Sequence, residues 1–274
     1  MMLLKSFVKA IADPKYAFYI LANRYIQSYE NFSYEFEENG ENELLKRLSE
    51  FNPKVIFDVG ANVGSWTKIA SKFCINSDFH CFEMVPETFS TLSKNLNKKN
   101  IYLSNVGLSD SKSTVDYKYY GAEVGVNKLE TRSVFHDHYM SSEIRTTKVI
   151  RGDDYCKDKG IGAIDFLKID VEGAELFVLR GFESLIKQQK IKVIQFEYGY
   201  TNGDSGCLMR DFYDFLMANG YVIGPLKQSG VWFMNFEYGL NNFRSGPNFV
   251  AVLESERSIK DALSHKKIKG YPFT

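Results

Sequence analysis

The sequence predicts an α/β fold, a doubly wound and mostly parallel sheet preceded by a helical arm. Three observations predict it. Short apolar runs rich in β-branched residues, at 55–59, 164–169 and 193–196, have the length of strands buried on both faces. Helical spacing follows the first two: Trp66, Ile69, Ala70 and Phe73, then Leu176, Leu179, Phe182 and Leu185. Both of those strands also break at glycine-bearing turns, Asp58-Val-Gly60-Ala61-Asn62-Val-Gly64 and Asp170-Val-Glu172-Gly173.

The 274 residues suit one large α/β domain with additions. With 34 basic and 34 acidic residues the net charge is zero, which argues against a nucleic-acid backbone or a polybasic membrane anchor as partner. Cys74, Cys81, Cys156 and Cys207 are scattered and form no C-x-x-C, so they read as reduced thiols of a cytoplasmic protein. Residues 1–50 read as an N-terminal helical arm or lid, broken near Asp13-Pro14. The arm is expected to pack on the core; a tyrosine-rich substrate platform and a peripheral membrane contact are the alternatives. Its apolar run falls short of the roughly 20 residues that span a bilayer, so no integral membrane segment is expected. The main domain is set at 51–256 and a lysine-bearing tail at 257–274.

Within the main domain, Pro86 starts a helix carrying Phe89, Leu92 and Leu96, and Ile101-Tyr102-Leu103 is a short strand. Residues 105–110 read as a turn, where Val106 could cover a flat ring and Gly107 permit close approach. Alternation at 115–119 and 147–150 predicts antiparallel or edge strands. His136 and His138 lie in the polar stretch between them and lack the further ligands that a metal site needs. A helix over 208–219 stops at Gly220, and strands follow at 221–224 and 248–253. The aromatic, Asn-rich stretch 232–244 is a candidate substrate wall.

The first glycine turn has the wrong spacing for the dinucleotide fingerprint G-x-G-x-x-G, and Asp58 stands where an anion would sit. A cationic ligand fits better, and S-adenosylmethionine carries both a sulfonium and an ammonium. Glu83 ends the strand at 79–83, about 20 residues after the turn, where an acid can accept both ribose hydroxyls. The expected cofactor contacts are therefore Asp58, Gly60, Ala61, Asn62, Gly64, Trp66, Glu83, Met84, Val106, Gly107 and Asp170. Lys168 and Asp170 point to one side of their strand, and a buried lysine needs such a partner. Glu197 ends the neighbouring strand, so Lys168, Asp170, Glu172 and Glu197 are the candidate catalytic residues at the sheet's C-terminal edge. Asp170 and Glu197 are also candidate ligands for a divalent cation such as magnesium.

These stretches resemble the FkbM family of S-adenosylmethionine-dependent methyltransferases. The resemblance rests on Asp58 to Gly64, on Phe82-Glu83, on Asp165 to Glu175 with Leu179-Arg180-Gly181, and on Asn248-Phe-Val-Ala251. Met84 departs from the proline that commonly follows the ribose acid. The resemblance implies a Rossmann-like, doubly wound, mostly parallel seven-stranded methyltransferase sheet. It also implies O-methylation of a sugar, of a cell-surface polysaccharide first, or of a natural product. On this reading Asp170 or Glu197 takes the hydroxyl proton, or binds a metal that does the activating, and Lys168 orients the carboxylates. Two rivals remain: a catalytically silent glycan-binding module on the same fold, and a nicotinamide-dependent enzyme. The partner is a small-molecule or glycan acceptor, and a homo-oligomer is left open.

Overall fold

The computed structural model describes residues 13–33, 35–121, 143–243 and 246–265. In chain order its elements are α1 (Pro14–Tyr29), α2 (Glu41–Ser49), β1 (Val55–Val59), α3 (Ser65–Phe73), β2 (Asp78–Phe82), α4 (Pro86–Asn95) and β3 (Ile101–Ser104). There follow β4 (Gly107–Leu108), β5 (Ser113–Tyr119), β6 (Glu143–Ile150), α5 (Gly152–Lys159), β7 (Ile164–Ile169), α6 (Glu175–Gly181), α7 (Glu183–Lys187) and β8 (Ile191–Glu197). The last are α8 (Tyr200–Asp204), α9 (Met209–Met217), β9 (Tyr221–Lys227), β10 (Gly230–Val231), β11 (Asn248–Leu253) and α10 (Arg257–Leu263).

One sheet runs β10-β9-β11-β8-β7-β1-β2-β3. β3, β2, β1, β7 and β8 are mutually parallel, and β11 is antiparallel to both of its neighbours. The sheet has eight strands rather than the expected seven, because the chain after β9 folds back as β10 on its outer edge. β4, β5 and β6 form a separate three-stranded sheet, with β5 and β6 antiparallel as their alternation predicts. The strand order reverses between β1 and β7, the switch point at which open α/β sheets bind ligands.

Alternation divides the sheet's residues between two cores. Phe57, Val59, Leu167, Ile169, Ile194 and Phe196 face α5, α6 and α9 through Tyr155, Leu179 and Phe212. Ile56, Phe79, Phe166, Val193, Val250 and Val252 face α2, α3, α4 and α10 through Leu44, Trp66, Leu92 and Ile259. Thus α2, grouped in the sequence with the arm, and α10, grouped with the tail, both pack into the domain. None of the residues of α1 is fully buried, and Tyr16, Ala17, Ile20, Ala22 and Asn23 on one side of it are half-buried. All four cysteines are free and buried. His136 and His138 lie outside the described residues.

Gly60 has φ +84°, and a Cβ there would lie 1.7 Å from the Asp170 carbonyl oxygen. The glycine is therefore required by the neighbouring strand's turn. Gly64 differs: a Cβ there would press on Leu92 and Leu96 of the following helices' packing. Gly60→Ala should cost about 3 kcal/mol or more, through left-handed strain and the clash with backbone. Denaturant unfolding monitored by fluorescence checks this, and a loss below about 1 kcal/mol would mean that the two turns can part freely.

Candidate active site

The C-terminal edge of β1, β7 and β8 carries the ionisable cluster. Asp58, Lys168 and Gln195 occupy one register row across the three strands, so their side chains leave the same face. Lys168 is buried, with Nζ 3.0 Å from Asp170 Oδ2, to which it donates, and 3.7 Å from Asp58 Oδ1. Burial opposes its charge, but Asp170, Asp58 and Glu41 together hold its pKa above the ordinary lysine value.

Asp58 is fully buried and accepts a hydrogen bond from Thr67 Oγ1 at 2.6 Å. This corrects the expectation that it reaches a cationic ligand: its charge is directed at Lys168, inside the fold. Trp66 is corrected too. Its ring lies in the core against Phe166, centroids 5.7 Å apart, with Lys168 Nζ 5.6 Å from the ring. It is the inward-facing residue of α3's first turn, so it faces the sheet. Ala61 is likewise buried, and its N–H donates to the Phe82 carbonyl.

The other expected cofactor residues gather at the rim. Glu83 Oε2 accepts from the Asn62 N–H at 3.0 Å and Oε1 from the Val85 N–H at 2.8 Å. Burial pushes Glu83 up to about 7, although both bonds favour the carboxylate. The Asn62 side-chain oxygen is buried and has no partner among the described residues. A nucleoside at this rim would supply one, so the residues present fit the expected cofactor. Met84 and Gly107 adjoin: a Cβ on Gly107 would lie 3.6 Å from Met84 Cβ. Val106 packs half-buried against the core.

Asp170, Glu172 and Glu197 can bring carboxylate oxygens within 4.8 Å of one another. Burial, then the charges of Asp170 and Glu172, push Glu197 far above the carboxylate range. Burial also works against the Asp170 charge, but Lys168 and a hydrogen bond from Glu197 hold its pKa below the ordinary value. Glu197 is thus the protonated donor and Asp170 the ionised acceptor. Three oxygens so arranged could also take a divalent cation, which would have to displace the Glu197 proton.

Several residues of the site were not expected from the sequence. Glu41 of α2 is buried and accepts from Asn39 Nδ2 and Gln195 Nε2, each at 2.6 Å. Gln195 Nε2 also donates to Asn248 Oδ1 at 2.9 Å. Glu175 receives the Val171 and Gly173 N–H groups and Asn202 Nδ2, while burial pushes its pKa up to about 7. The available signal was a polar side chain in an apolar pattern. Glu41 continues the 44, 45, 48 helical stripe, and Gln195 interrupts a buried strand. The proposed substrate wall divides. The Trp232 N–H pairs with Pro225 at the sheet's outer edge, whereas Phe243 stacks on Tyr198, centroids 5.1 Å apart, and lies 5.9 Å from Tyr200.

The family model described as the methyltransferase FkbM domain matches residues 58–223, more than half of the chain. The chain belongs to the FkbM methyltransferase family. Among curated relatives of this FkbM-family chain, the hexuronic acid methyltransferase AglP of Haloferax volcanii is 26% identical over 170 residues, covering 60% of this chain and 66% of that protein. The 2-O-methyltransferase NoeI of Sinorhizobium fredii is 25% identical over 166 residues, covering 57% and 67%. The chain spans 58–66% of the length of the first three curated relatives it matches. A solved FkbM methyltransferase from Methylobacillus flagellatus is 17% identical with a TM-score of 0.46, covering 73% of this chain and 43% of that one.

Lys168→Met should destabilise the fold by about 3–5 kcal/mol, because it leaves Asp58 buried without its countercharge. Burial already raises the Asp58 pKa above its unfolded value, and loss of Lys168 raises it further. The unfolded chain then releases its proton first, so the destabilisation should grow as pH rises above about 4. Urea unfolding at several pH values checks the sign. Adding Asp58→Asn should recover most of the loss.

Proposed function

We propose that this FkbM-family chain transfers the methyl group of S-adenosylmethionine to a hydroxyl of a sugar or glycan, as on a surface polysaccharide. Family membership supports methyl transfer, and the names of two relatives, a hexuronic acid methyltransferase and a 2-O-methyltransferase, favour a sugar acceptor. The observation that carries the chemistry is the convergence of the Asp170, Glu172 and Glu197 carboxylates within 4.8 Å at the switch-point edge, with Lys168 Nζ 3.0 Å from Asp170.

Glu83 and the Asn62 side-chain oxygen hold the nucleoside, and the anionic Asp170 suits the positive end of the cofactor. When bound, S-adenosylmethionine supplies a methyl carbon made electrophilic by a positively charged sulfur. Asp170 would take the acceptor's hydroxyl proton as the methyl group passes to that oxygen and the sulfur keeps the electron pair of the broken carbon–sulfur bond as a neutral thioether. A carboxylate held below its ordinary pKa is a weak base. It takes the proton late, once the partly alkylated hydroxyl has become acidic. Lys168 and the Glu197 hydroxyl fix the direction of the Asp170 lone pairs. Positioning of the two reactants supplies much of the remaining acceleration. Tyr200, just after β8, and Phe243, just before β11, offer apolar ring faces 5.9 Å apart on which a sugar can rest.

Asp170→Asn should lower turnover by about 10²-fold or more while S-adenosylhomocysteine affinity, read by calorimetry, stays within about threefold. Glu197→Gln should stay within about tenfold of the parent, because the amide still donates to Asp170. The reverse ranking would move the base to Glu197. Lys168 and the Glu197 proton already balance the Asp170 charge, so turnover should survive exhaustive chelation. Loss restored by magnesium would make Asp170, Glu172 and Glu197 a metal site. Absence of labelled methyl transfer to any glycan, with cofactor binding intact, would favour the silent binding module.

A further inference from the structure

The arm helix α1 is inverted relative to an ordinary surface helix. Asp13 caps its N-terminus through the Lys15 and Tyr16 N–H groups, so it is a defined element with no buried residue. Five of its large side chains point outward, while Tyr16, Ile20 and Tyr29 are half-buried: Phe18, Tyr19, Leu21, Tyr25 and Ile26 are between 48 and 73% exposed. On a helical wheel these five fall within one arc of roughly 160°. The chain just after the helix is fastened to the domain. Asn31 Nδ2 donates to the Asn39 and Leu226 carbonyls at 2.7 and 3.0 Å, and Lys227 donates to Glu30 Oε2 at 3.1 Å. The apolar arc is therefore carried at a fixed root.

Charge identifies what the arc meets. The helix bears Lys15 and Arg24 and no acidic residue. Residues 1–29 hold Lys5, Lys9, Lys15 and Arg24 against Asp13 alone, a net charge of +3 in a chain whose total is zero. The remainder is net −3, so a negative surface draws the arm and repels the body. Two copies of the helix would meet with like charges, which disfavours self-association through this face. Aromatic and aliphatic side chains with a lysine among them at the helix start, an arginine beyond one edge of the arc and no acid match helices that lie in the headgroup region of anionic bilayers.

We propose that α1 docks this protein onto an anionic membrane surface, with Phe18, Leu21 and Tyr25 entering the headgroup–acyl boundary and Lys15 and Arg24 meeting lipid phosphates. The inference rests on the arm alone and stands independently of the methyl-transfer reading. No described helix is long and apolar enough to cross a membrane, so the contact is peripheral.

The test is co-sedimentation of the full chain with vesicles of phosphatidylcholine containing about one third phosphatidylglycerol, beside pure phosphatidylcholine vesicles. The parent should partition onto the anionic vesicles at least about tenfold more than onto the neutral ones, and less as salt is raised. Phe18→Ser/Leu21→Ser/Tyr25→Ser should lose at least about tenfold of that binding. Its melting temperature and S-adenosylhomocysteine affinity should be unchanged, since none of the three residues is buried or among the candidate site residues. A parent that stays in the supernatant with both vesicles overturns the proposal, as does a triple variant that binds like the parent. If the parent ignores vesicles but sediments as a dimer that the triple variant dissolves, the face belongs to a second copy instead.

Discussion

A lysine ammonium inside a parallel sheet is the constraint on which the site depends. Lys168 cannot reach bulk water from the middle of β7, and an unpaired charge there would be untenable. Its partners each come from a different place in the chain. Asp58 fixes β1 beside β7, and Asp58 in turn holds Thr67 on α3. Asp170 is drawn back over its own strand. In the same row Gln195 reaches Glu41 on α2 and Asn248 on β11. One buried charge thus ties the switch point to both of its flanking strands and to two helices. Buried ion pairs seldom add net stability over a well-packed apolar substitute. What this one contributes is direction, because it leaves Asp170 ionised and aimed at the sheet edge.

The fold was legible because its signals are local. The strands at 55–59 and 164–169, the helices after them and the glycine turns each declare themselves within a dozen residues. The identity of the outermost edge strand was not legible, because β10 is two residues long and is defined only by pairing with β9. In the site, the convergence of Lys168, Asp170 and Glu197 could be read from strand parity and parallel order. The role of Asp58 could not. A carboxylate before a glycine turn looks the same whether it turns toward a ligand or toward a lysine on the next strand. For Trp66 the sequence carried two signals, its place in the glycine turn and its apolar spacing with Ile69, Ala70 and Phe73, and the ring follows the second into the core. Glu41 was hidden by distance: 154 residues separate it from Gln195.

The glycine turn after β1 and the loop after β7 are one backbone unit. The Asp170 N–H donates to the Val59 carbonyl at 2.9 Å, and the absent Gly60 side chain leaves room for the Asp170 carbonyl. Beyond it, Glu172 sits at φ +56°, a conformation that costs a side-chain-bearing residue free energy. Glu175 holds that strained loop by accepting its N–H groups, and Asn202 holds Glu175. Small displacements at either turn are therefore transmitted to the other through hydrogen bonds rather than absorbed by side-chain rotation.

This arrangement separates what must be rigid from what can vary. On the methyl-transfer reading, the distance from methyl donor to proton acceptor is set by main-chain contacts between β1 and β7. Changing it would require moving the central strands. The acceptor face is built differently, from Tyr200 and Phe243 on the segments after β8 and before β11, where side chains stack on one another at the surface. Substitutions there alter shape and apolar area without touching the buried row beneath. On the methyl-transfer reading, a rigid charged floor under an exchangeable aromatic wall lets the acceptor change while the central strands stay in place.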